Sequence, residues 1–531
     1  VTDQHTDLAS TEDLTARAAE AVRLAVEVID TGIATARASG TADRDQQLVY
    51  SLAHARSAAI MAESAIGYAA HGDDEARLAH IFVGRFLNDL ASMLWARSSD
   101  WGVDPGALDP TRDYAALVTA PTFVGAAAEL GGTSTLPDDL EMVATTFRQF
   151  ADEQVAPHAE HIHRQDLDIP VEIIRGVAEL GCFGLSIPEE FGGSASGSED
   201  DYMAMVIATE ELSTASLGAG GSLITRPEIL ARAIEAGGTD EQKQRWLPPI
   251  ASGDILCAVA VTEPDYGSDV ASLTTAATKV DGGWRINGVK TWCTFAGRAN
   301  ALMLLARTNP DPEARHRGLS LFVVDKPSDD GHEFRHESDG GTLEGRAIPT
   351  LGYRGMHSYE VSFTDWFVPD TNLIGGDEGL GRGFYLQMAG FENGRIQTAA
   401  RAVGVMQRAW EVAREYANER KVFGSPIADY ELTQVKLGTM AAIIQISRQF
   451  TYAVARRMAA GDGSLEAAMA KAYVCKAAEW VTREALQIHG GMGYAEEYEV
   501  SRLFVDARVL SIFEGADETL CLKLIGKRLL A

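Results

Sequence analysis

The hydrophobic period of this chain changes twice, and the change limits the folds open to it. Between residues 255 and 375, short apolar runs at 256–261, 284–288, 301–306, 319–324 and 359–363 alternate with turn residues such as Asp281-Gly282-Gly283. Runs of that length, set off by turns, predict an antiparallel sheet domain, a small barrel or sandwich. On either side the period is helical. Residues 137–254 read as an α-helical domain, with Asp138 or Asp139 capping a helix that carries Met142, Val143, Phe147 and Phe150. Residues 378–531 hold long apolar stripes at about 384–418, 430–460, 465–489 and 498–508. These suit a four-helix bundle with one irregular connection around His489 to Tyr494. The sheet region spans 255–377, so the order is α, β, α, and a cleft where sheet and helices meet is the default ligand site.

Ahead of this lies more helix. Over residues 1–100, Leu14, Ala18, Ala21, Ala25 and Val28 form one stripe, and Leu48, Leu52, Ala55, Ala59, Ala62 and Ile66 another. Residues 101–136, with Pro105, Pro110, Pro121 and Gly131-Gly132, read as a surface linker. The whole is a multidomain α+β chain of 531 residues, too long for a single core.

The net charge of −30 argues against a nucleic-acid surface and restricts any polyanionic ligand to locally basic pockets or helix N-termini. No apolar run reaches membrane-spanning length and no signal peptide opens the sequence, so a cytoplasmic location is expected. The five cysteines are scattered without metal-ligand spacing and read as thiols in a reducing compartment. No metal site is expected.

Several short segments carry chemistry. In Ile512-Phe513-Glu514-Gly515-Ala516 a carboxylate stands between an aromatic residue and a glycine. The apolar neighbours should raise its pKa toward the range of a general base, and Gly515 admits a close molecule. The same residues also suit a solvated acid at a helix N-terminus. In Val261-Thr262-Glu263-Pro264-Asp265-Tyr266-Gly267-Ser268-Asp269 a strand exits into hydroxyls and a Gly-Ser turn, suited to a polar ring edge or a phosphate. Trp292 and Thr294 are two residues apart, so a regular strand puts them on one side. Arg420 with Phe423-Gly424 closes a long helix and can clamp a pyrophosphate. After Gln487 and His489, the glycines Gly490, Gly491 and Gly493 expose bare backbone.

In this order the motifs resemble the acyl-CoA dehydrogenase family over about 137–531, and the run 238–243 and Gly193 fall on its landmarks as well. The resemblance implies an α-helical domain, a β-barrel or sandwich domain and a C-terminal four-helix bundle, with the N-terminal helices as an extension. It implies FAD as cofactor, an acyl-CoA substrate, an electron-transferring flavoprotein as acceptor, and a homodimer or homotetramer. Glu514 would remove the proton α to the thioester carbonyl, its backbone N–H serving the carbonyl oxygen. Val261, Thr262, Gly267, Ser268, Trp292 and Thr294 would contact FAD. Arg420, Phe423, Gln487, Gly490 and Gly491 would hold the FAD of a neighbouring subunit, and Glu518 fits the segment after the base. Ser268, Glu392, Arg395, Phe513 and Gly515 would line the CoA thioester. After the Glu-Gly pair the family usually continues with Thr, a small residue, Glu or Gln, Ile and Gln. Here Ala516 and Leu520 depart from that pattern, and Glu431 stands where a Gln commonly follows the Phe-Gly turn.

The extension, with the segments 351–356, 395–401 and 512–516, resembles one subgroup, the methylsuccinyl-CoA dehydrogenases. That implies oxidation of (2S)-methylsuccinyl-CoA to mesaconyl-CoA in the ethylmalonyl-CoA pathway. Such a substrate carries a free carboxylate, which needs a cation. Arg226 is the candidate, with His357 and Tyr359 behind it. Competing expectations are a neutral short or branched acyl-CoA as substrate, a flavin oxidase of the same fold, and a catalytically silent scaffold.

Overall fold

The computed structural model describes residues 11–40 and 44–531, so residues 1–10 and 41–43 of the extension lie outside the described residues. Helices α1 (Thr11–Ser39), α2 (Gln46–Tyr68) and α3 (Asp73–Trp101) form the extension. Next come α4 (Asp138–Phe150), α5 (Glu199–Ala215), α6 (Thr225–Gly237) and α7 (Asp240–Ala251). The sheet contains β1 (Cys257–Ala260), β2 (Ala276–Val280), β3 (Gly283–Thr294) and β4 (Ala301–Arg307). It continues with β5 (Leu319–Asp325), β6 (Glu333–Ser338), β7 (Gly341–Ile348) and β8 (Ser358–Pro369). Helices α8 (Gly383–Glu419), α9 (Glu431–Ala459), α10 (Ser464–His489) and α11 (Glu499–Leu510) follow. The architecture is that of the expected fold class. Among the described residues no helix is long and apolar enough to cross a membrane.

Two compact units result. One comprises Val1–Pro137, Met406–Arg457 and Gly463–Ala531; the other comprises Asp138–Val405 and Met458–Asp462.

In the sheet-bearing unit the eight strands run in the order β1-β4-β2-β3-β8-β7-β6, with β5 beside β4. Pairing is mostly antiparallel, but β1 runs parallel to β4, with Cys257 opposite Ala301 and Ala260 opposite Leu304. This departs from an all-antiparallel sheet. Strand β1 reaches β4 only after the β2–β3 hairpin, and a crossover of that length permits parallel pairing. Alternation sorts the side chains: Met303, Leu305, Leu321 and Val323 face a core shared with Trp246, Leu247 and Ile250 of α7. Leu302, Leu304, Phe322 and Val324 face a second core with Trp284, Ile286 and Phe363. The run at 238–243 is a capping box. Thr239 Oγ1 accepts from the Gln242 N–H, and Gln242 Oε1 accepts from the Thr239 N–H. Gln242 Nε2 then donates to Thr371 O and Leu373 O and fastens α7 to the chain leaving the sheet.

In the other unit the extension is built into the C-terminal helices. Ala53 of α2 shares a core with Ala468, Met469 and Ala472 of α10 and with Leu520, Cys521 and Ile525. Arg37 donates to Leu529 O at 2.7 Å. Residues 101–136 do not lie on the surface as a linker. Leu108, Tyr114, Val118, Phe123 and Val124 are buried, because two short helices, Arg112–Val118 and Pro121–Gly125, give their apolar residues a common side. Pro121, one of the prolines that mark a linker in the sequence, opens the second of these helices.

Candidate active site

Glu514 sits in the loop between α11 and the final helical turns with φ +54°, in the left-handed region that a residue with a Cβ seldom adopts. One carboxylate oxygen, Oε2, is buried and meets no hydrogen-bond partner among the described residues. A buried oxygen without a donor is costly in a group whose role is only structural, and it is what a proton acceptor requires. The loop is held from below. Lys471, fully buried on α10, donates to Gly515 O at 2.5 Å, and the Asp517 N–H donates to Ser511 O at 3.1 Å. Gly515 has φ +100°, and a Cβ there would come 3.0 Å from Leu520. Phe513 is half-buried, while Ile512 and Glu518 are exposed.

In the same unit α8 ends at Glu419, and Arg420 is exposed just beyond it, its N–H bonded to Tyr416 O. A two-stranded hairpin follows, Lys421–Val422 against Ser425–Pro426. Phe423 (φ +50°) and Gly424 (φ +95°) form its tip, and the Phe423 ring is fully exposed. Gly490, φ +58°, caps the end of α10, and added side chains at Gly490 or Gly491 would meet nothing within 4 Å. Gln487 is exposed beside them. His489 is not free for chemistry: its Nδ1 bonds Ala485 O and its ring stacks on Tyr416.

In the sheet-bearing unit the exit of β1 is anchored by a pair that sequence reasoning missed. Buried Lys290 Nζ donates to Val261 O and to Glu263 Oε1, both at 2.9 Å. Glu263 also accepts from the Thr274 and Thr275 N–H groups and from the Thr274 hydroxyl. Burial alone would raise the Glu263 pKa; the Lys290 charge and these donors outweigh it and bring it down to about 2. Thr262 O accepts from the Thr291 N–H at 2.8 Å. Thr262 is thus fixed half-buried, while Gly267 and Ser268 are exposed in the turn beyond.

Trp292 and Thr294 do not obey the simple two-residue alternation. The register with β8 shifts between Lys290 and Cys293, and Trp292 has φ +57°. This bulge turns the indole out, leaving it 54% exposed, and keeps the Thr294 hydroxyl buried against Ser358 Oγ at 2.9 Å. An indole held in the open by a strained backbone, next to an oriented hydroxyl, fits a flat heterocycle with a polar edge.

Arg226 at the start of α6 is not a surface residue: it is 5% exposed. Among the described residues it meets no carboxylate. Its Nη1 donates to Ser222 O at 3.3 Å, and the guanidinium stands 5.9 Å from the Tyr353 ring centroid. A second buried guanidinium, Arg401, donates to Ser222 Oγ at 3.2 Å. His357, by contrast, is already matched. Burial opposes its charge, yet Asp168 at 3.0 Å and Asp166 at 3.2 Å hold its pKa above the ordinary value. Tyr359 donates to Gly331 O at 2.6 Å. Neither is available as the partner of a substrate carboxylate. Arg395 is buried and Glu392 half-buried on α8.

Residues 137–254, 258–366 and 381–530 match the N-terminal, middle and C-terminal domains of acyl-CoA dehydrogenase. The chain is 43% identical to the (2S)-methylsuccinyl-CoA dehydrogenase of Cereibacter sphaeroides, over 86% of this chain and 85% of that one. That share exceeds residues 137–531, so the match takes in part of the extension. Butyryl-CoA dehydrogenase from Megasphaera elsdenii superimposes with a TM-score of 0.68 at 29% identity, over 75% of this chain and all (100%) of that one. A glutaryl-coenzyme A dehydrogenase in complex with glutaryl-CoA gives 0.67 at 30%, over 74% of this chain and 95% of that one. The chain belongs to the acyl-CoA dehydrogenase family, the FAD-dependent oxidoreductases that act on acyl-CoA thioesters.

Proposed function

We propose that this enzyme dehydrogenates an acyl-CoA whose acyl chain carries a free carboxylate, (2S)-methylsuccinyl-CoA giving mesaconyl-CoA, as in the ethylmalonyl-CoA pathway. The observation that carries this reading is Arg226, a buried guanidinium whose contacts are one carbonyl and one ring. A buried cation without a counter-charge is strongly disfavoured. A substrate carboxylate accepting from it would remove that cost, and would form in the bound state alone. The 43% identity to a methylsuccinyl-CoA dehydrogenase supports the same reading.

Glu514 acts as the base, taking the α-proton at Oε2. Its own backbone N–H serves the thioester carbonyl oxygen, where negative charge grows as the proton leaves. FAD, when bound, supplies the acceptor for the β-hydride, so two C–H bonds break and one C=C bond forms. Trp292 would pack beside the flavin ring and Thr294 would offer a hydroxyl to its edge, with Val261 and Thr262 fixing the strand exit. Gly267 and Ser268 serve its phosphates, Ser268 also the CoA arm, with Glu392 and Arg395 at the CoA moiety and Phe513 and Gly515 around the thioester. Arg420, Phe423, Gln487, Gly490 and Gly491 would hold the FAD of a neighbouring subunit in a homodimer or homotetramer, and Glu518 would border the cofactor. Electrons leave to an electron-transferring flavoprotein. The domain limits at 137–254, 255–377 and 378–531, after an extension to 100 and a connecting segment to 136, belong to this proposal.

Anaerobic titration with methylsuccinyl-CoA and with 2-methylbutyryl-CoA, followed by flavin bleaching, tests it. Wild type should bleach with the first and Arg226→Leu should not. Unchanged bleaching of Arg226→Leu by methylsuccinyl-CoA sinks the assignment, and preference of wild type for the neutral thioester favours a branched-chain enzyme. Peroxide release without an acceptor would show an oxidase instead.

A further inference from the structure

Three residues beyond Glu514, the carboxylate of Asp517 turns inward rather than toward solvent and is 6% exposed. It meets the N-terminal extension. The Tyr50 hydroxyl donates to Asp517 Oδ2. His54 Nε2 lies 3.1 Å from Oδ1 and 3.2 Å from Oδ2. Both residues project from α2, one turn apart, so a single helix face presents both groups. Lys476 of α10 completes the cluster: its Nζ donates to the Tyr50 hydroxyl and lies 3.7 Å from Asp517 Oδ2. Cys521 Sγ is 3.6 Å from Oδ1. The groups facing Asp517 therefore come from α2, from α10 and from its own helical turn.

The backbone of the same residue ties back to the base. The Asp517 N–H donates to Ser511 O, which closes a loop with Glu514 at its centre. The left-handed conformation of Glu514 must be maintained by its surroundings, since an isolated residue would relax out of it. Two anchors do so: Lys471 on Gly515 O, and the cluster on Asp517. Apolar packing of Tyr50 and Ala53 against Leu520 and Cys521 sets the same face of α2 against the residues that follow.

We propose that the N-terminal extension positions the catalytic base, with Tyr50 and His54 acting through Asp517 as positioning residues for Glu514. This rests on the reading of Glu514 as the base. The extension is then part of the catalytic machinery, and its contribution falls on the chemical step rather than on CoA binding. A carboxylate displaced by about 1 Å from its productive position loses on the order of a hundredfold in rate, so small losses at these contacts become visible.

The test uses the full chain with FAD bound, carrying Tyr50→Phe, His54→Gln, Asp517→Asn or Glu514→Gln. Methylsuccinyl-CoA and butyryl-CoA are the probes. Flavin content, Tm, the dependence of bleaching rate on thioester concentration, and the isotope effect of α-deuterated thioester are read. Asp517→Asn should slow bleaching at saturation by about tenfold or more, and Tyr50→Phe by roughly threefold to tenfold, the range of one hydrogen bond. Half-saturation should stay within about twofold, the α-deuterium effect should rise, and Tyr50→Phe should add no further loss in the Asp517→Asn background. Bleaching within about twofold of wild type in these variants, while Glu514→Gln abolishes it, overturns the proposal; so does a loss that follows FAD content or Tm. Should Asp517→Asn fail to retain FAD, Tyr50→Phe, which removes a single oxygen, decides between these outcomes by itself. Wild-type bleaching by Glu514→Gln would refute the base reading instead, a result separable from failure of the extension's role.

Discussion

Lys290 and Glu263 form a buried ion pair, Nζ to Oε1 2.9 Å, directly behind the strand exit that bears Val261 and Thr262. Lys290 has no exposed surface and Glu263 is 4% exposed. Replacing Lys290 with Met should cost about 3–5 kcal/mol of unfolding free energy, because Glu263 is left charged, buried and short of its cation. Urea unfolding of the apo-protein measures this. A cost below about 1 kcal/mol would mean that the Thr274 and Thr275 donors suffice alone.

Acid stability should follow two carboxylates. Glu263 and Asp517 are both held at about 2, each against the opposing effect of burial: the first by Lys290, the second by His54, Tyr50 and Lys476. Unfolded Glu and Asp titrate at about 4.3 and about 3.9. As pH falls, the unfolded chain takes up these protons first, so the stabilisation is complete above about pH 5 and is lost on the way down to about pH 2. Unfolding free energy measured down this range should decline steeply in wild type and less steeply in Asp517→Asn. Parallel curves would contradict the Asp517 contribution.

Ser358 should matter to the flavin although it lies in the sheet core. Its Oγ is the partner of the Thr294 hydroxyl at 2.9 Å. Ser358→Ala leaves that hydroxyl to reorient, at a cost of about 1 kcal/mol or roughly fivefold in flavin reduction, with a shifted flavin absorption band. Thr294→Ala should produce the same shift, and the double variant should add little.

Much of the fold is legible in the chain because long periodic segments leave few alternatives. The helical stripe near 430–460 corresponds to Glu431–Ala459, and that near 465–489 to Ser464–His489. The hairpin of Glu333–Ser338 and Gly341–Ile348 carries no comparable signal, since Phe334 and Leu343 are its main buried side chains and the rest is largely polar. Period two also fails at Trp292, where a bulge needs a left-handed residue that no composition rule announces. Asp517 stands in the segment just after the base, yet nothing in its immediate sequence marks it as an anchor. Its partners Tyr50 and His54 lie more than 450 positions away, and no local pattern connects them.

Phe423 gives a test that separates cofactor binding from folding. Its ring is fully exposed at the tip of a strained hairpin, so the described chain gains nothing from its apolar surface. Under the proposed function this ring stacks on the cofactor, a contact worth about 0.5–1.5 kcal/mol beyond the area buried. Phe423→Ala should leave Tm of the apo-protein unchanged, and relief of the left-handed φ is not available to Ala either. FAD retention, followed by flavin fluorescence on dilution, should weaken by about tenfold once the lost contact area is included. Unchanged retention would remove Phe423 from the cofactor contacts and leave Arg420 to hold the pyrophosphate without it. A fall in apo-protein Tm would show instead that the ring packs within the protein.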